Sequence, residues 1–183
     1  MPRANAGTSL LAVGCGTGYF SRRFTRHGLS VTAIAPDLVT LGFAKTQGGN
    51  IHYIQADALL LPFPNNAFDY TMAVTSLCFV DDTLQAFGEM WRVTRHTLVA
   101  GLLNRHSLLY WRKQGRGCYT GARWDTGRDI LKEWVPMLSP SPEMVKLRSA
   151  VFLPQGTGMA KWSEQWLPNT LPCGGFLAVG LRR

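Results

Sequence analysis

Short apolar runs alternate with helix-period segments along the first hundred residues, and glycines or prolines mark nearly every change of period. "TSLLAVG" reads as a buried strand, and "TGYFSRRFTRHG" as a helix that sets Phe20 and Phe24 on one face and stops at Gly28. "LSVTAIA" is a second strand, and "PDLVTLGFAKTQGG" a helix opened by Pro36 and Asp37 and closed by two glycines. "NIHYIQA" and "FDYTMAVTS" are further strands, "DDTLQAFGEMWRVTR" an amphipathic helix with Leu84, Phe87, Met90 and Trp91 inward, and "HTLVAGLL" a fifth strand. Such β–α alternation requires a parallel sheet with right-handed crossovers and helices on both faces. Function in that architecture gathers at the carboxyl ends of the strands.

Beyond Asn104 the pattern loosens. "RHSLLYWRKQGRGCYTGARWD" interleaves cations, aromatics and glycines and reads as a long, partly ordered loop or lid spanning 105–128. "TGRDILKEWVPML" reads as a helix stopped near Pro136. "MVKLRSAVFLP" and "GGFLAVGLRR" read as two strands, an antiparallel pair closing the sheet. At 183 residues, 46% of them apolar, the chain supports one core, so residues 1–183 are expected to form a single domain. Its start lacks the long apolar run of a secretory signal, and no apolar stretch is long enough to span a bilayer. The expected location is the cytoplasm. Cys15, Cys78, Cys118 and Cys173 are scattered, with no CxxC pair, which argues against a zinc site or a disulfide framework.

The formal charge of +8 is unevenly placed. No acid precedes Asp37, and from Arg92 to Arg128 a single acid, Asp125, stands among seven arginines and one lysine. A field of that sign draws anions: an acidic small molecule, a phosphate, a nucleic acid or an acidic partner. Tyr110, Trp111, Tyr119 and Trp124 among Arg112, Arg116 and Arg123 suit base stacking, or a lid over a flat or acidic ligand. No known nucleic-acid module is visible, so the lid is preferred.

Between the first strand and the first helix stands Gly14-Cys15-Gly16-Thr17-Gly18. Glycines permit a sharp turn and close backbone approach, and the helix amides beyond are unpaired donors. The spacing is GxGxG, without the GKS or GKT of a phosphate-binding P-loop. The stretches "VGCGTGYFSRRF", "VTAIAPDLVTLGFAK", "IQADALLLPFPNNAFDYTMAVTSL" and "FGEMWRV", over roughly residues 8 to 103, resemble the class I S-adenosylmethionine-dependent methyltransferases. Within them they resemble the type 11 group that includes ubiquinone and menaquinone biosynthesis enzymes. The resemblance implies an α/β, Rossmann-like doubly wound seven-stranded sheet, mostly parallel with an antiparallel last strand. It also implies S-adenosyl-L-methionine as cofactor and methyl transfer to a small or medium acceptor.

Carried over residue by residue, the resemblance puts Gly14, Cys15, Gly16, Thr17 and Gly18 under the methionine part of the cofactor, with Tyr19 beside its carboxylate or packed. Ala35, Pro36 and Asp37 fall at the ribose, Asp57 and Ala58 at the adenine, and Thr75 with Ser76 along the cofactor toward the acceptor. Two positions depart: Ala12 and Ala35 stand where the family carries acids for the cofactor's ammonium group and ribose hydroxyls. Asp37 either reaches back to the ribose or caps its helix. The family's N-terminal covering helices are expected to be missing. His106, just after the fifth strand, is the candidate general base. The reading from a different class is a non-catalytic methyltransferase-like protein that binds or regulates a partner through a degenerate cofactor site.

Overall fold

The computed structural model describes residues 7–151 and 171–183. Its core is a seven-stranded sheet in the order β3-β2-β1-β4-β5-β7-β6. The strands are β1 Ser9–Val13, β2 Ser30–Ala35, β3 Ile51–Gln55, β4 Phe68–Val74, β5 Thr94–Leu103, β6 Met144–Ala150 and β7 Phe176–Arg182. β1 to β5 pair in parallel, whereas β7 runs antiparallel between β5 and β6. The expected mostly parallel sheet and antiparallel last strand are therefore present. The last residues of the expected "MVKLRSAVFLP" strand, 152–154, lie outside the described residues.

Helix α1 is Tyr19–Arg26, α2 Leu38–Thr46, α3 Thr83–Val93 and α4 Leu108–Lys113. α3 passes into β5 with no intervening loop, earlier than the helical periodicity suggests. The reason is apolar: Met90, Trp91 and Val93 bury one helix face, and Leu98, Ala100 and Leu102 continue the same cluster from the strand. The segment read as one helix toward Pro136 is instead a succession of short turns, Gly127–Asp129 as α, Ile130–Trp134 as π and Val135–Met137 as 3-10. Ile130 and Trp134 are fully buried, and Trp134 meets Phe87 edge-on with ring centroids 5.2 Å apart. No helix among the described residues is long and apolar enough to cross a membrane.

Two carboxylates fasten the strand-to-helix connections to this core. Glu89 holds Arg92 at 2.7 Å and accepts from the Leu61 amide, while Arg92 donates to the carbonyls of Leu61 and Phe63. Asp69, at the start of β4, accepts from the amide and hydroxyl of Ser9 and from Arg95. Arg92 holds the Glu89 carboxyl below its ordinary value, and the hydrogen bonds from Ser9 do the same for Asp69. Stability from both groups is complete above the ordinary carboxylate range and is lost as pH falls through the lowered values. Asp125 is pushed the other way by burial, so its protonation offsets part of that loss. Urea unfolding should thus show a midpoint steady near neutrality that falls below about pH 4.5, within the ordinary carboxylate range. Glu89→Gln should lower stability by about 1 kcal/mol at neutral pH and flatten the acid slope; an unchanged slope would remove Glu89 from this role.

Candidate functional site

The carboxyl ends of β1, β2, β3 and β4 surround a cavity of about 530 Å³, within the range that holds cofactor-sized ligands. Gly14, Gly16 and Gly18 all take positive φ, at 64°, 52° and 73°, but they do three different things. A Cβ on Gly14 would lie 2.3 Å from Ser76 Cβ, so this residue is glycine because the end of β4 presses against the end of β1. Ser76 answers by donating its hydroxyl to the Val13 carbonyl at 2.8 Å. A Cβ on Gly18 would meet the Tyr53 hydroxyl at 2.5 Å and Ala44 at 3.3 Å. Gly18 is a buried packing glycine at the start of α1 and, unlike the other loop residues, is not on the cavity wall. Gly16 has nothing within 4 Å of its Cβ position, so its backbone faces open space.

Hydrogen bonds within the loop, from Cys15 N to Ile34 O at 2.9 Å and from Gly18 N to Cys15 O at 3.0 Å, leave the Gly16 and Thr17 amides outside the backbone network of the described residues. They are donors a ligand can take. Cys15 lines the cavity half-buried, and burial pushes its thiol up, which suits a space-filler and not a nucleophile. Tyr19 and Phe20, edge-to-face at 5.3 Å, stand at the mouth.

On the β2 and β3 side the wall is Ala35, Pro36, Asp37, Asp57 and Ala58. Asp37 is the cap of α2: one carboxylate oxygen accepts from the Val39 amide at 3.2 Å and the other from the amide and hydroxyl of Thr40. Those bonds hold its carboxyl below the ordinary value and use both oxygens locally. The helix-cap alternative for Asp37 is the one the geometry displays. Asp57 spends one oxygen on the Leu59 amide at 2.9 Å, while its other oxygen has no partner among the described residues. Ala12 and Ala35 are both buried on the cavity wall, and no other carboxylate lines it.

The β4 side differs in chemistry. Leu77, Phe79 and Val80, on and after the 3-10 turn Leu77–Phe79, form an apolar part of the wall of the cavity that Phe20 also lines. Thr75 holds a φ of 54°, which a β-branched residue adopts only under constraint, and its amide is fixed by the Gly101 carbonyl at 2.8 Å. Neither Phe79 nor the strained Thr75 backbone has a distinctive signature in a single sequence.

His106 does not reach this cavity. Buried Asn104 ends β5 by donating to the carbonyls of Pro172 and Gly174 and accepting from the His106 amide, and the chain turns there into α4 with the imidazole exposed. The expected partly ordered loop after it is also corrected. Tyr110 and Tyr119 pack on Trp124 at 5.3 and 5.6 Å, in a small core with Cys78, Leu103 and Leu109. Arg123 donates its amide to the Cys78 carbonyl at 2.8 Å and its guanidinium to buried Asp125 at 2.7 Å. Three of the four rings considered for base stacking are thereby committed to packing; Trp111 alone of the four is largely exposed, at 81%.

Residues 11–97 match the model of a methyltransferase domain family. The match spans just under half of the chain, and with the fold it makes the chain similar to the class I S-adenosylmethionine-dependent methyltransferases, in particular to their type 11 group. Over 119 residues it is 31% identical to a malonyl-[acyl-carrier protein] O-methyltransferase of Pectobacterium atrosepticum, covering 61% of this chain and 47% of that protein. It is 37% identical over 99 residues to a ubiquinone/menaquinone biosynthesis C-methyltransferase of Hahella chejuensis, covering 49% of this chain and 40% of that one. The chain thus spans about half the length of the curated relatives it matches. A solved S-adenosylmethionine-dependent methyltransferase from Thermotoga maritima superposes with a TM-score of 0.73 at 21% identity, over 98% of this chain and 83% of its own. One from Mesorhizobium loti gives 0.71 at 19%, over 100% and 94%. These two likenesses show the fold.

S-adenosylmethionine is the cofactor that the family implies, and the residues present fit it in part. Open amides at Gly16 and Thr17, the spare oxygen of Asp57 and the cavity's size suit an adenosyl amino acid; the alanines at 12 and 35 withhold charged partners. The glycines give a direct check. Gly14→Ala must displace Ser76 and adopt a left-handed backbone, so it should lose more than about 2 kcal/mol of stability, the upper end of the left-handed cost alone. Gly16→Ala also adopts a left-handed backbone but meets no atom, so it should cost only that term, about 1–2 kcal/mol, while weakening S-adenosylhomocysteine binding at least tenfold. Equal stability losses in thermal melts of the two variants would contradict this division.

Proposed function

We propose that the protein transfers a methyl group from S-adenosylmethionine to a small or medium acceptor, with the cofactor over β1, β2 and β3 and the acceptor entering beside β4. The observation that carries this reading is the cavity itself. Its wall joins the open glycine-loop amides, a half-engaged carboxylate at Asp57 and an apolar acceptor flank at Phe79 and Val80. Gly14, Cys15, Gly16, Thr17, Tyr19, Ala35, Pro36, Asp37, Asp57, Ala58 and Thr75 all stand on that wall and are proposed to line the cofactor. The names of relatives that act on an acyl-carrier-bound malonyl group and on quinone precursors support transfer to an organic acceptor.

The part of the chain is alignment. Holding acceptor, methyl carbon and leaving sulfur in line converts a bimolecular displacement into an effectively unimolecular one, worth up to about 7–11 kcal/mol in favourable cases. Glycine-loop amides and Asp57 orient the cofactor, while Phe20, Leu77 and Phe79 exclude water from the acceptor side.

Two missing acids set the expected affinity. A bidentate carboxylate contact to ribose hydroxyls is a pair of charge-assisted bonds, and its absence costs about 1.5 to 3 kcal/mol. Calorimetric titration with S-adenosylhomocysteine should give micromolar or weaker binding, and Ala35→Asp should strengthen it by about tenfold, near 1.4 kcal/mol. No binding at millimolar ligand would favour the non-catalytic, partner-binding reading; nanomolar binding would show that the pocket compensates fully for the alanines.

A further inference from the structure

Resting on the cofactor reading above, we propose that the methyl acceptor is a carboxylate carried on an apolar body, methylated on oxygen as the preformed anion, with no group of the protein moving a proton. The argument begins with where the cavity keeps its ionisable groups. They are Cys15, Tyr19, Asp37 and Asp57, and the wall has no imidazole, amine or guanidinium among the described residues. Asp37 follows β2 and Asp57 follows β3, whereas the acceptor flank follows β4. In the order β3-β2-β1-β4, these ends are two and three strand spacings apart, roughly 10 and 14 Å. Both carboxylates belong to the cofactor half.

Among the described residues the β4 half of the cavity wall carries no ionisable proton acceptor; Asp81 and Asp82 follow Val80 outside that wall. Phe20, Leu77, Phe79 and Val80 are hydrocarbon, and the two hydroxyls there already donate, Thr75 to the Val74 carbonyl and Ser76 to the Val13 carbonyl, each at 2.8 Å. Cys15 is held as the thiol by burial, and the Tyr19 hydroxyl is a hydrogen-bonding group on the loop side. Alcohol, thiol and ammonium acceptors must each shed a proton during transfer, and catalysis of that step needs a positioned base. A carboxylate needs none. Its oxygen supplies the electron pair of the new O–CH3 bond, and the S–CH3 bond breaks with its pair kept by sulfur. One anion and one sulfonium cation become two neutral molecules, and no proton enters or leaves.

The surrounding charge fits the same ligand. The segment 105–128 holds six exposed cations, Arg105, Arg112, Lys113, Arg116, Arg123 and Arg128, against the single carboxylate of Asp125. It is tied to the acceptor flank through the bond from the Arg123 amide to Cys78, the residue between Leu77 and Phe79. Exposed Asp81 and Asp82 follow Val80 on the same side, so with Asp125 three acids stand against six cations, and the net positive charge favours an anion there. Phe20 and Phe79, 42% and 55% exposed at the mouth, offer their rings to the acceptor's apolar body.

The test uses the full chain, S-adenosylhomocysteine and three probes of matched body: 4-phenylbutyrate, 4-butylphenol and 4-phenylbutylamine. Calorimetry on the S-adenosylhomocysteine-loaded protein should show saturable 4-phenylbutyrate binding that changes less than about twofold between about pH 6 and pH 8, where a carboxylate stays ionised. The amine should not bind, and Phe79→Glu should weaken the carboxylate at least about tenfold while S-adenosylhomocysteine still binds. With S-adenosylmethionine, mass spectrometry should find the methyl ester, formed at a rate flat over the same pH range. Tighter binding or faster methylation of the phenol or amine, a rate rising about tenfold per pH unit, or no carboxylate binding by about 10 mM, a bound near 3 kcal/mol, would overturn the proposal while leaving the cofactor reading intact. Failure of S-adenosylhomocysteine itself to bind would overturn both.

Discussion

The seam between the ends of β1 and β4 organises the whole site. Gly14 has no side chain because Ser76 occupies the place of one, and the Ser76 hydroxyl closes the seam on the Val13 carbonyl. Everything functional is arranged around that contact. On one side the loop rises over β1 with its Gly16 and Thr17 amides open; on the other the chain leaves β4 through a strained Thr75 into the apolar flank. Substituting Gly14 would separate two strand ends that together form the floor of the cavity.

From this seam follows a division of labour by charge. Both carboxylates of the cavity wall stand over β2 and β3, and six exposed cations in 105–128 follow β5, outnumbering Asp81, Asp82 and Asp125. One carboxylate is already spent on an α2 cap, and Ala12 and Ala35 on the wall offer no charge. Affinity for an adenosyl ligand then rests on backbone donors, one spare Asp57 oxygen and shape.

Local patterns made β1 to β5 and α1 to α3 legible, because each buries a face whose period is visible within a dozen residues. The glycine loop was equally visible, but not the separate duties of its glycines. That Gly18 packs on Tyr53 and Ala44 while Gly16 faces a cavity depends on residues some 26 to 35 positions away. The segment 105–128 looked loose because cations and glycines interrupt its aromatics; Tyr110, Tyr119 and Trp124 find one another only in three dimensions. His106 was placed near the acceptor by its position after β5, yet the Asn104 bonds turn it outward, a consequence of contacts with residues 172 and 174. Insertion of β7 between β5 and β6 is likewise a long-range pairing that short patterns do not encode.

The most direct test of this account is a backbone amide NMR titration of the labelled chain with S-adenosylhomocysteine, followed by 4-phenylbutyrate. The first ligand should move Gly16, Thr17, Asp57 and Ala58 and leave His106 and α4 in place; the second should move Leu77, Phe79 and Val80 without further change at Asp57. Shifts centred on His106 and α4 with the glycine loop silent, or both ligands perturbing the same β2 and β3 residues, would contradict the division of the cavity into a cofactor half and an acceptor half.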